Sequence, residues 1–550
     1  MQEDIRKQVF KRHAALQDER SLFLTQWRDV SKHVMPTTGH FLSFERHRNK
    51  QRFNKIYDST ATNAVRTLAA GMMSGMTSPA RPWFKLATTD ADLNRYQKVK
   101  EWLNDASALL HTIFHRSNTY RALHTIYEEL ALYGTAACIT TFDYQSAIHN
   151  TALTAGEFCI ATNWRGDVDT LYREFDKTVG ETVREFGKDA VSQSVRSQYE
   201  NGAYDQPVTI IHAIEPRALR NVDSPLARDM PWRSVYFEKG ASEGMVLREG
   251  GFKRFPALCP RWSVSGGDIY GASPAMEAMG DIRQLQHQQL AKAKAIDYQV
   301  NPPLQVPTMF KAQEYNMMPG GIVYADASAP IQPIWNVGLD LRYLLDDIQD
   351  VRARIQKSFY ADLFLMITQQ DGRMTATEVA ERHEEKMLMI GPVLERLQNE
   401  LLTPLIDIAF DAALVGGILP PPPEELSGME LDVELVSILA QAQKAVQTNS
   451  IDRFTAAVGG MAQLNPQVLD KINTDKLVNI YGEALGIDPS IIVPDSDAEA
   501  VRQQRAEQQA QQEQMAQAAQ MADATQKLGN TPVGQGSALD GVLEGLSGYN

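Results

Sequence analysis

Residues 273–299 read SPAMEAMGDIRQLQHQQLAKAKAIDYQ and predict one amphipathic helix. Ser273 followed by Pro274 is typical of a helix start, because the serine accepts a hydrogen bond from the first turn and proline needs no partner there. An Asn-Pro-Pro run at 301–303 ends the helix. The apolar side chains recur at helical spacing and form one stripe, made of Met276, Met279, Ile282, Leu285, Leu290, Ala293 and Ile296.

A second striped helix follows from about Leu339 to Phe359. Its apolar positions are Leu341, Leu344, Leu345, Ile348, Val351 and Ile355. The residues between the two helices are rich in proline and glycine and contain only short apolar pieces. We therefore expect the two helices to pack side by side and to carry a compact insertion at their far end.

Residues 376–415 predict a third long helix. Thr375 and Glu378 fit a capping box at its start. Pro392 and Pro404 lie inside it, and each removes one backbone hydrogen bond, so we expect the axis to bend twice. The polar, glycine-containing stretch before this helix reads as a loop.

The first half of the chain predicts helices followed by strands. Helices are expected at 3–34, from Asp58-Ser59 onward, at 91–117 and at 119–133, the last closed by Gly134. Short runs typical of strands lie between Cys138 and Val264, with helical segments near 177–200. The fold class is therefore α+β and mainly α.

Gly71 and Gly75 stand four apart in an apolar helix, a spacing that can mark a contact between membrane helices. The apolar run here is only about a dozen residues between Arg66 and Arg81, whereas a span needs about 20. The most apolar long window, 401–419, carries two aspartates, which are costly inside a bilayer. No apolar signal segment opens the chain. We expect no membrane insertion and interpret the glycines as a close helix contact.

Composition limits the fold and function classes to which the chain can belong. A chain of 550 residues with 43% apolar residues is expected to fold into several subdomains. Three widely spaced cysteines give neither a disulfide framework nor a zinc spacing. The net charge of −14 argues against tight binding of nucleic acid, although it permits a protein past which DNA slides.

The search for enzymatic motifs is negative. The segment GETVREFGKD, 180–189, has glycines too far apart for a phosphate loop and Asp189 where Ser or Thr would hold magnesium, so a helix end at Gly187 is the better interpretation. His111 and His115 are one helical turn apart, but the metalloprotease glutamate and a third ligand are missing. We predict no enzyme activity, no cofactor and no metal site.

Basic residues between 44 and 57 alternate with Phe44 and Phe53; they are Arg46, Arg48, Lys50, Arg52 and Lys55. Contact with nucleic acid and contact with an acidic protein surface are both open interpretations.

The C-terminal third is broken at 416–426 by GGILPPPPEEL, and short helices are expected from there to about 490. Residues 497–528 are rich in alanine and glutamine and poor in large apolar side chains. Such a helix is expected to need neighbouring copies for stability.

Four segments, in order along the chain, resemble one family. They are YDSTATNAVRTLAAGMMSGMTSPARPWFKL at 57–86, PRWSVSGGDIYGASPAMEAMGDIRQL at 260–285, GRMTATEVAERHEEKMLMIGPVLERLQNELLTPLID at 372–407 and LDVELVSILAQAQKA at 431–445. The chain is similar to the portal, or head-to-tail connector, proteins of short-tailed, podovirus-type bacteriophages.

This resemblance implies a portal fold that assembles as a ring of twelve subunits at one capsid vertex. The implied layout is a wing (1–270), a first stem helix (271–298), a clip (299–338), a second stem helix (339–365), a tunnel loop (366–375), a long kinked wing helix (376–415), a crown (416–495), a C-terminal barrel helix (496–528) and a flexible tail (529–550).

The resemblance also implies sites and partners. The tunnel loop residues expected at the DNA channel are Gln369, Gln370, Asp371, Gly372 and Arg373, and possible basic rings are Lys292, Lys294, Arg354 and Lys357. The clip residues expected to dock partners are Tyr315, Met317 and Met318. Implied partners are further copies of the chain, double-stranded viral DNA passing non-specifically, the terminase packaging motor, the tail adaptor and tail proteins, the major capsid protein and the scaffolding protein. The implied location is the virion, after assembly in the host cytoplasm.

Two alternatives from other classes stay open at this point. A packaging ATPase-nuclease would need the phosphate loop that the sequence lacks. A coiled-coil scaffolding protein without a channel would explain the helix at 497–528, but it would not explain the strand-bearing middle or the helix with two prolines.

Overall fold

The computed structural model describes most of the chain, with gaps. The described residues are 2–41, 56–90, 96–222, 224, 226–241, 245–300, 304–305, 332–333, 342–366, 390–426, 431–435, 454–461, 473–485, 491, 493 and 495–529.

The chain divides into two compact units. The first contains Met1–Ala91 and Trp102–Lys444, and the second contains Asp92–Glu101 and Ala445–Asn550. The helices up to the insertion are α1 (Gln2–His33), α2 (Thr60–Met76), α3 (Gln97–Arg116), α4 (Thr119–Tyr133), α5 (Val179–Phe186), α6 (Gln193–Glu200), α7 (Pro274–Glu277) and α8 (Met279–Val300). Those that follow are α9 (Arg342–Ser358), α10 (Ala361–Met366), α11 (390–397), a π turn (Gln398–Leu402), α12 (Thr403–Val415), α13 (454–461), α14 (Thr474–Leu485) and α15 (Asp495–Gly529).

Twelve strands are present among the described residues. They are β1 (Phe84–Thr88), β2 (Ala137–Asp143), β3 (Ala147–Leu153), β4 (Phe158–Thr162), β5 (Val168–Thr178), β6 (Pro207–Pro216), β7 (Trp232–Glu238), β8 (Arg248–Phe252), β9 (Ala257–Leu258), β10 (Leu304–Gln305), β11 (Gln332–Pro333) and β12 (Leu431–Leu435). The α+β fold class is confirmed, and β3 to β9 lie in the region between Cys138 and Val264 where strands were predicted.

A five-stranded antiparallel sheet in the order β4-β5-β6-β7-β8 forms one layer, and α1 covers one of its faces. Val9 and Leu16 of α1 share a buried cluster with Tyr172, Val235 and Phe237 of the sheet. Val208 and Ile210, on the other face of β6, belong to a second buried cluster with Val183 of α5 and Val195 of α6. The sheet therefore carries buried residues on both faces. A smaller sheet in the order β3-β2-β9 follows the C-terminal end of α4.

The helix α2 lies in the middle of the helical core. Gly71 faces the ring of Phe364 in α10 so closely that a Cβ atom at this position would overlap the ring. Thr77, just past the end of α2, shares a hydrogen bond of 3.1 Å with the buried Tyr127 of α4. The close helix contact predicted for this segment is confirmed, and it lies within one subunit.

The two striped helices pack as an antiparallel hairpin, which we call the stem hairpin (α8 and α9). Ser273 caps the preceding turn by accepting the Met276 N–H, as its place before Pro274 predicts. The inner stripe positions are buried; they are Ile282, Leu285, Ile348, Val351 and Ile355. Beyond the helices, β10 and β11 pair antiparallel, so the two ends of the insertion meet.

The second striped helix, predicted from about Leu339 to Phe359, is observed as α9, and Tyr360, with φ 54° in the left-handed region, separates it from α10. Two elements differ from the expectations. The segment from Leu431 begins as strand β12 and pairs with β1, where short helices were expected. Near Pro404, where the axis was expected to bend, the helix contains the π turn, which accommodates the missing proline N–H.

The second unit contains α13, α14 and α15. Helix α15 confirms the Ala/Gln-rich helix that was predicted at 497–528. Arg502 of α15 forms two hydrogen bonds of 2.6 Å with the Asp475 carboxylate of α14. The described side chains from Glu499 to Gln520 are all exposed.

Candidate functional site

One buried carboxylate connects both helices of the stem hairpin to the start of α2. Asp58, just before α2, accepts two hydrogen bonds from Arg352 of α9, from Nε at 3.0 Å and from Nη2 at 2.7 Å. Gln289 of α8 donates to the same oxygen at 2.8 Å. The other carboxylate oxygen accepts the N–H and the hydroxyl hydrogen of Thr60 at 2.9 and 2.5 Å. One side chain thus ties together three helices.

Gln286 completes this junction from α8. Its Oε1 accepts the backbone N–H groups of Tyr57 and Asp58 at 2.6 and 3.0 Å, and its Nε2 donates to the Asp58 carbonyl at 2.9 Å. The hairpin therefore satisfies the backbone N–H and carbonyl of Asp58 and one oxygen of its carboxylate. We call Asp58, Gln286, Gln289 and Arg352 the stem-base junction.

The charges in the stem-base junction favour its ionised form. Burial by itself would raise the pKa of Asp58, but the hydrogen bonds from Thr60 and the Arg352 guanidinium outweigh it and hold the pKa below the ordinary 3.8. The carboxylate is therefore charged at neutral pH, and its Arg352 partner is only partly exposed. A fixed, charge-paired joint of this kind orients the hairpin and has no free group for chemistry.

The basic residues proposed for the channel lie on the stem hairpin. Arg354 contacts Asp281 of α8 at 3.3 Å and Asp350 of its own helix at 3.7 Å, so its charge is largely balanced. Lys292 is half-buried, whereas Lys294 and Lys357 are exposed. The structure therefore leaves three lysines and one paired arginine as candidates, and which of them face DNA stays a prediction.

Two predicted sites lie outside the described residues. The tunnel loop set comprises Gln369, Gln370, Asp371, Gly372 and Arg373, and the clip set comprises Tyr315, Met317 and Met318. The basic and aromatic run at 44–55 lies outside them too. These roles stay predictions.

The half of the stem hairpin next to the insertion exposes apolar and aromatic side chains. They are Ile296, Tyr298, Val300, Tyr343 and Leu345, with Tyr343 81% exposed. The stripes are therefore covered within the subunit only near the stem-base junction. An apolar surface of this extent on one element is typical of a protein–protein contact.

A second buried ion pair fixes the π turn. Arg261 is buried and donates to the Glu400 carboxylate through Nε at 3.2 Å and Nη2 at 2.6 Å, and its backbone N–H donates to the same group at 2.9 Å. Arg261 Nη2 also donates to the Gly166 carbonyl at 2.8 Å. The pair therefore ties the β4–β5 turn and the segment after β9 to the long helix.

Of the two histidines that were weighed as metal ligands, His111 packs in an aromatic cluster, whereas His115 is exposed and lies beside Tyr120. His111 approaches the Phe84 carbonyl at 3.2 Å and packs on Phe84 and Trp83. Burial lowers its pKa below 6.5. Among the described residues, no three His, Cys, Asp or Glu side chains are grouped as a metal site would require.

No helix in the described part of the chain combines the length and apolarity that a membrane span needs.

Comparison with known proteins gives consistent matches. The family model of the bacteriophage head to tail connecting protein matches residues 6–493. The chain is 52% identical, over 99% of both chains, to a probable portal protein of Bordetella phage BPP-1. It is 39% identical, over 98% of both chains, to the portal protein of Salmonella phage epsilon15. Among solved structures, it is similar to a chain from the neck of an empty gene transfer agent particle, with 12% identity, coverage of 73% of this chain and 90% of that chain, and a TM-score of 0.34.

Proposed function

Because this chain belongs to the bacteriophage head-to-tail connecting, or portal, protein family, we propose that twelve copies form a ring at one capsid vertex and that double-stranded DNA enters and leaves the capsid through the centre of the ring. One observation carries the multi-copy part of this proposal. The distal half of the stem hairpin leaves Tyr343, Leu345 and Ile296 exposed in a single subunit, and neighbouring hairpins would cover them.

The charge of the chain fits a channel that does not grip DNA. Each lysine or arginine that neutralised a phosphate would add affinity, and each such contact would have to break as the DNA advanced. Helix α9 carries exposed Asp346, Asp347 and Asp350, and the last of these pairs with Arg354. The net charge of −14 adds to this repulsion over the whole subunit. We therefore assign the stem hairpin to the channel wall.

We assign a constriction of the channel to the tunnel loop. Gln369, Gln370, Asp371, Gly372 and Arg373 are a polar, glycine-containing stretch before the long helix predicted at 376–415, which suits a loop that can touch DNA without strong attraction. Deletion of 369–372 is expected to impair DNA packaging or retention while rings still form. Normal packaging and retention by this variant would overturn the assignment.

Partner docking is assigned to the clip, 299–338. The pairing of β10 with β11 supports a compact insertion presented at the end of two helices. The terminase motor and later the tail adaptor are the proposed partners, and Tyr315, Met317 and Met318 are the proposed anchors. Alanine at Tyr315 or Met317 is expected to weaken at least one of the two binding steps. Variants that bind both partners normally would exclude these anchors.

The ring itself is tested on the purified full chain. Native mass spectrometry is expected to give an assembly of twelve chain masses, and an ATPase assay is expected to give no turnover, since force must come from a separate motor. A single-copy mass under all assembly conditions would overturn the ring. Measurable ATP turnover would instead support the alternative that the chain is a packaging ATPase-nuclease. A scaffolding coiled coil is disfavoured by the five-stranded sheet.

A further inference from the structure

Helix α9 ends at a tyrosine whose backbone conformation suits glycine. Tyr360 has φ 54°, in the left-handed region where a residue with a Cβ atom is strained. Helix α4, by contrast, ends at Gly134 with φ 70°, where no such strain arises. The N–H of Tyr360 donates to the Lys357 carbonyl at 3.0 Å and closes the last turn of α9. The surrounding structure must hold Tyr360 in this conformation, since strain of this kind persists only where packing imposes it.

The local sequence favours one continuous helix through this bend. Residues 342–366 contain neither glycine nor proline. The apolar stripe of α9 continues past the bend at helical spacing, through Ile355, Phe359, Leu363 and Met366. A continuous helix would also pair the backbone N–H groups of the first turn of α10, which have no partner within α10. Tertiary packing therefore imposes the bend against the preference of the local sequence.

Phe364 of α10 is the contact that holds the bend. Its side chain is buried against α2, where a Cβ atom at Gly71 would overlap Cγ of the ring. Gly71 therefore forms a notch that accepts this ring, which we call the Gly71 notch. At about 100° per residue, a continuous helix would place Phe364 on the opposite side of the axis from Ile355 and its buried stripe. The ring can occupy the notch only while the chain is bent at Tyr360.

We propose that α9 and α10 form a two-state helix switch. In the bent state, which is the observed one, Tyr360 is left-handed and Phe364 fills the Gly71 notch. In the straight state, Tyr360 adopts the right-handed helical conformation, residues 342–366 form one helix, and Phe364 leaves α2. The bent state buries the ring but keeps the backbone strain, whereas the straight state removes the strain and exposes the ring. Each state therefore lacks what stabilises the other.

The switch changes where the segment that follows α10 begins. Extension of α9 from Ser358 to Met366 lengthens this helix by about 12 Å along its axis. The tunnel loop is assigned to 366–375, so the straight state would shift the start of the channel constriction. This consequence rests on the proposed function, whereas the two states of the helix do not.

Thiol labelling of the purified full chain tests whether α10 leaves α2. Ala361 is 2% exposed and would face away from the apolar stripe in the straight helix, so Ala361→Cys should react through the straight state. The matched control is Ala131→Cys in α4, which is fully buried and reports opening of the core. The native thiols Cys138, Cys159 and Cys259 are buried. Ala361→Cys should react at least about tenfold faster than Ala131→Cys, and equal rates would overturn the switch.

Two substitutions at Tyr360 distinguish a two-state switch from a flexible joint. Tyr360→Gly and Tyr360→Ala both remove the ring, whose centre lies 6.1 Å from that of the Trp262 ring. Glycine relieves the left-handed strain and disfavours the straight helix, whereas alanine does the reverse. The thiol of Ala361→Cys should therefore react at least about fivefold more slowly in the Tyr360→Gly background than in the Tyr360→Ala background. Equal or faster labelling with glycine, as a flexible joint would give, would contradict the proposal.

Hydrogen exchange shows whether α10 joins α9 or unfolds. Phe364→Ala empties the Gly71 notch and should raise the population of the straight state. The thiol of Ala361→Cys should then react faster, while the amides of Ala361 and Asp362 should exchange more slowly, because the straight helix pairs them with the carbonyls of Lys357 and Ser358. Faster exchange of both amides would show that α10 unfolds and would exclude the switch. None of these measurements depends on ring formation, so a failed switch leaves the proposed ring standing, and a failed ring leaves the switch standing.

Discussion

Asp58 and Arg352 are 294 positions apart in the chain, yet their side chains meet through two hydrogen bonds of 3.0 and 2.7 Å. Asp58 precedes the core helix α2, and Arg352 lies in the middle of α9. The ion pair therefore helps to fix the angle between the stem hairpin and α2. In a ring, a rotation of the hairpin at this joint would change the channel, so the joint is expected to be rigid.

The first prediction concerns the energy of this joint. Arg352→Ala leaves the buried Asp58 carboxylate without its guanidinium and should lower the free energy of unfolding by about 1.5–3 kcal/mol. Arg354→Ala is the matched control on the same helix, because its ion pairs are more exposed and should contribute at most about 1 kcal/mol. Urea denaturation of the two variants gives both values. Equal losses of unfolding free energy in the two variants would show that the Asp58–Arg352 pair contributes no more than the exposed ion pairs of Arg354.

The second prediction concerns acid stability. The folded-state pKa of Asp58 lies below its unfolded value of 3.8, so the stability that this group contributes is complete above 3.8 and is lost as the pH falls through the folded pKa. Asp58→Asn removes this contribution. The variant should therefore lose less stability than the wild type between pH 5 and the acid transition, while being less stable at pH 7. Parallel slopes in unfolding free energy against pH would contradict the prediction.

The third prediction uses two helical glycines. Gly71→Ala forces a methyl group into the ring of Phe364 and should cost about 1–3 kcal/mol, because the core has no space to relax. Gly280→Ala in α8 meets no atom within 4 Å and should be neutral or stabilise by about 0.5–1 kcal/mol through helix propensity. Phe364→Leu in the Gly71→Ala background should recover part of the loss. Thermal unfolding of the four proteins, including wild type, distinguishes these outcomes.

The fourth prediction concerns the π turn. Glu400→Ala leaves the buried Arg261 guanidinium without its carboxylate, and the removal of one partner of a buried pair costs about 3–5 kcal/mol. Arg396→Ala removes only a 3.6 Å contact to the same glutamate and serves as the control, with an expected loss of at most about 1 kcal/mol. Denaturant unfolding measures the loss of stability in both variants. A similar small loss in the two variants would mean that Arg261 finds other partners.

Periodicity predicted the elements well where one face is apolar over several turns. The ends of α1, α2 and α4 and the pairing of α8 with α9 agree with the stripes and with signals such as Gly134, which caps α4 in the left-handed region. Strand β12 was missed because an alternating pattern of only five residues cannot be distinguished from the first turn of a helix. Its partner β1 lies more than 340 positions away, and local sequence contains no signal for that pairing.

The stem-base junction could not be read from the sequence for a different reason. Gln286, Gln289 and Arg352 lie on the polar side of their helices, where side chains are usually exposed. Only the packing of α2 against the hairpin buries that side locally. A partial signal existed, because Asp58 followed by Ser59 and Thr60 is an unusual excess of capping residues at one helix start.

End-on electron microscopy of the purified full chain tests the central claim most directly. If paired stem hairpins line a hollow assembly, the images should show annuli with twelve-fold symmetry and an open centre. A compact particle with no central opening, under every assembly condition tried, would contradict the account.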